Sequence, residues 1–132
     1  MKNILFTLLL TISFFTYGQK KELKQAQKLI DQEFYNEALD VLQNNKELIL
    51  SSDIKYQAHY YYLNGWALKE DSKSLKAVES LRKSIELERS IRQKKYIEDA
   101  NILIQNAEAE LVNSAVEDNK NDKFLEASEK LY

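Results

Sequence analysis

The sequence contains no cysteine and no proline, and it has only two glycines and one histidine in 132 residues. Average usage at this length would give about six prolines and nine glycines. Without cysteine there is no disulfide framework and no thiolate site for zinc or iron–sulfur chemistry. Without proline and glycine, collagen-like, proline-rich and turn-dense β-sandwich architectures lack their material. His59 alone cannot complete a histidine-based metal site, which needs three or four protein ligands. Any Ser-His-acid or Cys-His set would have to run through that same residue, and no G-x-S-x-G frame accompanies it. A chain this poor in glycine holds no phosphate-cradling loop. The expectation is a non-enzymatic protein with no cofactor and no metal.

Charge of one sign is also lacking. Nineteen basic residues stand against 21 acidic ones, a net charge of −2, with the signs interspersed. A nucleic-acid binder would show a basic stripe and a peripheral membrane binder a polybasic cluster. Carboxylates two apart, Glu86 with Glu88 and Glu108 with Glu110, point in different directions on a helix and make no acid–base pair. A long hydrophobic run is missing too. The longest, residues 4–15 (ILFTLLLTISFF), is shorter than the approximately 20 residues a membrane-spanning helix needs. It follows Lys2 and precedes Thr16-Tyr17-Gly18, which is the layout of a secretory signal peptide cleaved after Gly18. The reading is therefore a signal peptide over 1–18 and a single helical domain over 19–132, with no stable membrane insertion after cleavage. A retained anchor is the alternative, and a lipid anchor would need a cysteine at the cleavage site. The mature chain is expected in the periplasm or elsewhere in a cell envelope.

What is present is helical periodicity. Apolar residues recur at Leu23, Ala26, Leu29 and Ile30, at Ala38, Leu39 and Leu42, at Tyr62, Trp66 and Leu68, and at Leu75, Val78, Leu81 and Ile85. No segment alternates like a strand. Polar, turn-forming residues predict breaks at 31–33, 44–45, 51–53, 71–74 and 119–122, giving five to six antiparallel helices in an all-α fold. Between Ser90 and Asn119, Ile97, Ala100, Ile104, Ala107 and Leu111 step by three and four, like one long helix with a coiled-coil seam. Two helices with a hidden break are the alternative there.

Three alanines, Ala38, Ala77 and Ala127, lie in similar frames (FYNEALDVL, SLKAVESL, KFLEASEKL), each with a leucine four residues later. Twelve residues before them sit Ala26, Gly65 and Ala115. A small residue in each of two successive helices lets their axes approach closely. This pattern resembles the tetratricopeptide repeat, a helix-turn-helix unit with a small residue in its first helix and an alanine early in its second. Residues 33–39 (EFYNEAL) and 122–127 (DKFLEA) resemble that family's turn, aromatic and alanine. The family period is about 34 residues, whereas the spacings here are 39 and 50. No proline closes a unit, and a plain helical bundle is the alternative architecture. The resemblance implies a solenoid whose first helices line a concave groove for a partner's peptide or helix.

Carried onto this sequence, the groove stripe is His59, Tyr62, Trp66 and Lys69, spaced by 3, 4 and 3 on one helix face. Leu23, Gln27 and Ile30 would flank it on one side, and Val112, Val116 and Asn119 on the other. Tyr61 and Trp66 also fit a purely structural role in the core. The expected function is a protein-protein interaction scaffold. The alternative is a structural bundle that self-associates through 97–111. Asp118, Asp122 and Glu129 match the first, fifth and twelfth places of a calcium loop, but Lys120 and Lys123 occupy its third and sixth, which excludes calcium. The segment opened by Asp122 stops without a cap, so the chain is expected to be the front of a longer solenoid or to pair its end with another chain.

Overall fold

The computed structural model describes residues 18–129, so the signal-peptide reading of 1–18 lies outside the described residues apart from Gly18. Among the described residues there are six helices and no strand. They are α1 over residues 18–31, α2 Tyr35–Asn44, α3 Lys46–Leu50, α4 Ile54–Glu70, α5 Ser74–Ser90 and α6 Ile97–Glu129. All six pack against one another in an all-α fold, and none is long and apolar enough to cross a membrane.

The first four expected breaks fall at helix boundaries. Two antiparallel hairpins result, α1–α2 and α4–α5, joined through the single-turn helix α3. In the first, Leu23, Ala26 and Ile30 of α1 bury against Ala38 and Leu42 of α2. The end of α2 is tied back to α1 where Asn45 Nδ2 donates to Glu22 Oε2 at 3.5 Å. In the second, Gly65 and Ala77 are buried at the crossing. Two buried serines of α5 donate across the hairpin, Ser80 Oγ to the Tyr61 carbonyl at 2.8 Å and Ser84 Oγ to the Ala58 carbonyl at 2.7 Å. Such bonds need close backbones, which small residues at the contact permit.

Each hairpin turns without glycine. After α1, Glu33 adopts φ 64°, and after α4, Ser72 adopts φ 60°. The Phe34 N–H reaches the Leu29 carbonyl and the Lys73 N–H the Leu68 carbonyl, at 2.8 and 2.9 Å. This is the left-handed helix stop in which a residue past the end satisfies a carbonyl five positions back. Arg92, at φ 55°, ends α5 identically, with the Gln93 N–H on the Glu88 carbonyl at 2.9 Å. Glu33 and Ser72 stand 39 residues apart, the spacing that also separates Ala26 from Gly65 and Ala38 from Ala77.

The C-terminal third departs from the sequence reading. A break the sequence reading lacked lies at residues 91–96, and the expected break at 119–122 is helical. Asn and Asp are only a few tenths of a kcal/mol per residue poorer than the better helix formers, about 0.7 at most, and Lys is one of those better formers. Without glycine or proline they do not stop a helix that already has its nucleus. The break at 91–96 is instead set by tertiary contacts. Glu88 is fully buried, and its carboxylate accepts the Tyr96 N–H at 2.7 Å and the Lys95 N–H at 3.2 Å, fixing the chain where α6 begins.

The 33-residue α6 then runs antiparallel to α5 and alongside α4. Ala100, Ile104 and Ala107 are buried in the core, so these three positions of the seam that the alternative reading used for self-association pack within the chain, while Leu111 is exposed. The third alanine-framed hairpin is not formed either. Ala115 is exposed on α6, and Ala127 lies on the same helix. The calcium-like segment is likewise helical, not the polar turn expected.

Candidate functional site

The stripe His59, Tyr62, Trp66 and Lys69 does share one face of α4, but its two ends are covered by the chain itself. The Tyr96 ring stacks on His59 at 4.9 Å and 15° and on Tyr62 at 4.7 Å and 17°. At the other end Lys69 Nζ pairs with Glu110 Oε1 at 3.2 Å and Glu70 Oε1 at 3.4 Å. Ser74 Oγ donates to the second Glu110 oxygen at 2.8 Å. That hydroxyl holds the Glu110 carboxyl below its usual pKa, with burial opposing and Lys69 assisting. Burial lowers the Lys69 ammonium, but its ion pairs outweigh that and leave its pKa raised.

His59 is thus no free groove residue. Burial, with the Lys95 ammonium adding to it, lowers its pKa to about 4. Its outer side borders a cavity of about 230 Å³ shared with Lys55, Tyr56, Gln93, Lys95 and Tyr96. Tyr62 is 6% exposed and belongs to the core, and burial together with Asp99, Tyr96 and Asp31 pushes its phenol to about 12. Leu23 and Ile30, expected to flank the groove, are core residues, and Gln27 alone of that trio reaches the surface.

Only the middle of the stripe stays open. Trp66, the chain's one tryptophan, is half-buried with its ring 5.8 Å from that of Tyr62 and tilted by 54°. Together with Asp99, Ile102 and Leu103 of α6 these rings line a notch of about 240 Å³. Ile102 is 52% exposed at its rim. The sequence reading missed this half of the site, Tyr96, Asp99, Ile102 and Leu103. A helical wheel of α6 places 99, 102 and 103 away from the 100–104–107 stripe, the one available hint that a second face of α6 meets the body.

A second apolar surface lies further along α6. Beyond Glu110 the helix extends about 28 Å past the body, with Leu111, Val112, Val116, Phe124 and Leu125 exposed. Val112 and Val116 therefore do not flank the α4 stripe as expected. The helix face that buries Ala100, Ile104 and Ala107 continues through Leu111 and Ala115 to Asp118 and Asp122, all four of them exposed. Among the described residues, no group of three or more histidine, cysteine or acidic side chains is placed to hold a metal ion. No family model matches the chain, and no curated protein and no solved structure matches it.

Proposed function

We propose that this chain is an exported, non-enzymatic interaction module of the tetratricopeptide type that binds a segment of a partner protein in the notch between α4 and α6. The observation that carries the reading is the open, aromatic-floored notch at Trp66. It sits at the centre of the expected groove stripe, while the residues on either side are locked by Tyr96 and Glu110. A preformed pocket with a half-buried indole suits an anchoring side chain, because aromatic anchors dominate interface energetics and a fixed receptor lowers the ordering cost. The tetratricopeptide assignment is supported by the 39-residue recurrence of small packing positions and left-handed turns over two hairpins. In this reading α6 takes the place of a third unit's first helix. Export is supported by the charge, apolar run and small residues of positions 2–18, and in this reading the module works in the periplasm or envelope of a bacterium.

Photocrosslinking tests this. A benzophenone side chain at Ile102, in the full chain expressed in its own cells, is expected to give one discrete protein adduct. The same group at exposed Leu75, on α5, gives none. Equal adducts from both positions, or none from Ile102, overturn the reading.

A further inference from the structure

We infer that the Trp66 notch is built to take a cationic side chain, lysine or arginine, of the partner segment. Its stem would lie on the indole and its charged end between Asp99 and the Tyr62 hydroxyl. This rests on the groove reading above and adds the chemistry of the anchor.

Three features of the notch point the same way. Its floor is aromatic and its rim aliphatic, from Trp66, Ile102 and Leu103, which suits a hydrocarbon stem. Lysine and arginine bury such stems while keeping the head solvated, and their heads are attracted to the faces of aromatic rings. Its charge is negative and uncompensated. Asp99 lines the notch and Asp31, at the end of α1, acts on the same Tyr62 hydroxyl. Neither carboxylate pairs with a lysine, arginine or histidine among the described residues. Asp31 accepts only the neutral Gln27 amide at 2.9 Å, and the nearest cation of the stripe, Lys69, is taken by Glu110 and Glu70. Finally, Tyr62 lines the notch, and its hydroxyl forms no hydrogen bond with the described residues, which leaves it open to a donor entering from solvent. An ammonium or guanidinium in the notch would donate to that oxygen in place of water. A carboxylate ligand would instead meet the like charge of Asp99.

Because Trp66 is the sole tryptophan, its emission reports occupancy directly. The chain lacking residues 1–18 is titrated with synthetic peptides that differ at one central position among leucines: lysine, arginine, norleucine or glutamate. Lysine and arginine peptides are expected to shift Trp66 emission saturably at concentrations about five- to tenfold below the norleucine peptide. The glutamate peptide should bind weakest. The preference should vanish in Asp99→Asn, whose helical circular dichroism stays unchanged, and shrink at about 1 M salt, where the screening length is near 3 Å. Asp31→Asn should reduce it in part. If lysine and norleucine peptides bind alike, the cationic anchor is overturned while the groove stands. If no peptide moves the emission, the groove reading falls with it.

Discussion

A Cβ built on Gly65 would lie 2.5 Å from Leu81 Cγ and 3.1 Å from the Leu81 backbone nitrogen. The α4–α5 crossing is therefore closed to any larger residue on that side. Replacing glycine by alanine inside an exposed helix gains about 1 kcal/mol from propensity. Here overpacking against backbone opposes that gain at a cost of roughly 1–3 kcal/mol. Gly65→Ala is expected to lower stability by about 1 kcal/mol and to weaken the Ser80 and Ser84 bonds to α4 carbonyls. Urea unfolding monitored by circular dichroism measures it, and a stabilised Gly65→Ala would contradict the close packing.

The three left-handed turns predict the opposite sign. Glu33, Ser72 and Arg92 hold φ between 55° and 64°, a conformation costing an L-residue roughly 1–2 kcal/mol. Substitution by glycine removes that strain and gives back part of the gain as unfolded-chain entropy. Each single change to glycine should raise stability by roughly 0.5–1 kcal/mol. The triple variant should come close to the sum, since the turns are separate.

Glu88 has a structural role that only its burial reveals. Glu88→Ala would leave the Lys95 and Tyr96 N–H groups without acceptors, a loss of roughly 2–3 kcal/mol. The first turn of α6 should then fray and the Tyr96 ring lose its place on His59 and Tyr62. Hydrogen exchange over residues 95–100 reads this out. Glu88→Gln, which keeps one carbonyl acceptor, should recover part of the protection.

His59 sets an acid limit. Its folded pKa is about 4, while the unfolded chain titrates near 6.5. Between those values the unfolded state binds the additional proton, so the stability is full above pH 6.5 and falls as pH drops toward 4. The loss is on the order of 3 kcal/mol at most. His59→Phe retains a ring against Tyr96 and removes this term. Urea midpoints at pH 7 and 4.5 should converge for the variant relative to the wild-type chain, whereas Glu110, whose lowered pKa also costs stability in acid, affects both chains alike.

The all-α class and the first four helix boundaries were legible because apolar spacing and polar turn clusters are local signals. The positions of Ala26, Ala38, Gly65 and Ala77 were legible for a related reason, since small residues at matched offsets mark where helices cross. The C-terminal third was not. Residues 119–122 look like a turn in composition but contain no residue that forbids a helix. The real break at 91–96 depends on Glu88, a buried acid whose partners are backbone N–H groups seven and eight residues away. The alanine frame at Ala115 therefore had no hairpin to belong to. For the site, one helix face predicts four aligned residues but not what covers them. Tyr96 and Glu110 close the ends of the stripe through contacts that span 34 to 41 residues of chain. A stripe on α4 could not reveal that α6 lies against it.

In the proposed function, a partner engages the Trp66 notch. The most direct measurement is the affinity of the protein crosslinked at Ile102 for the wild-type chain and for Ile102→Glu, by titration calorimetry, with helical content checked for both. Ile102 is half exposed, so the substitution spares the fold while placing a charge at the notch rim. A loss of about tenfold or more, corresponding to roughly 1.4 kcal/mol, is the predicted result. Equal affinity for the two folded chains would contradict the account.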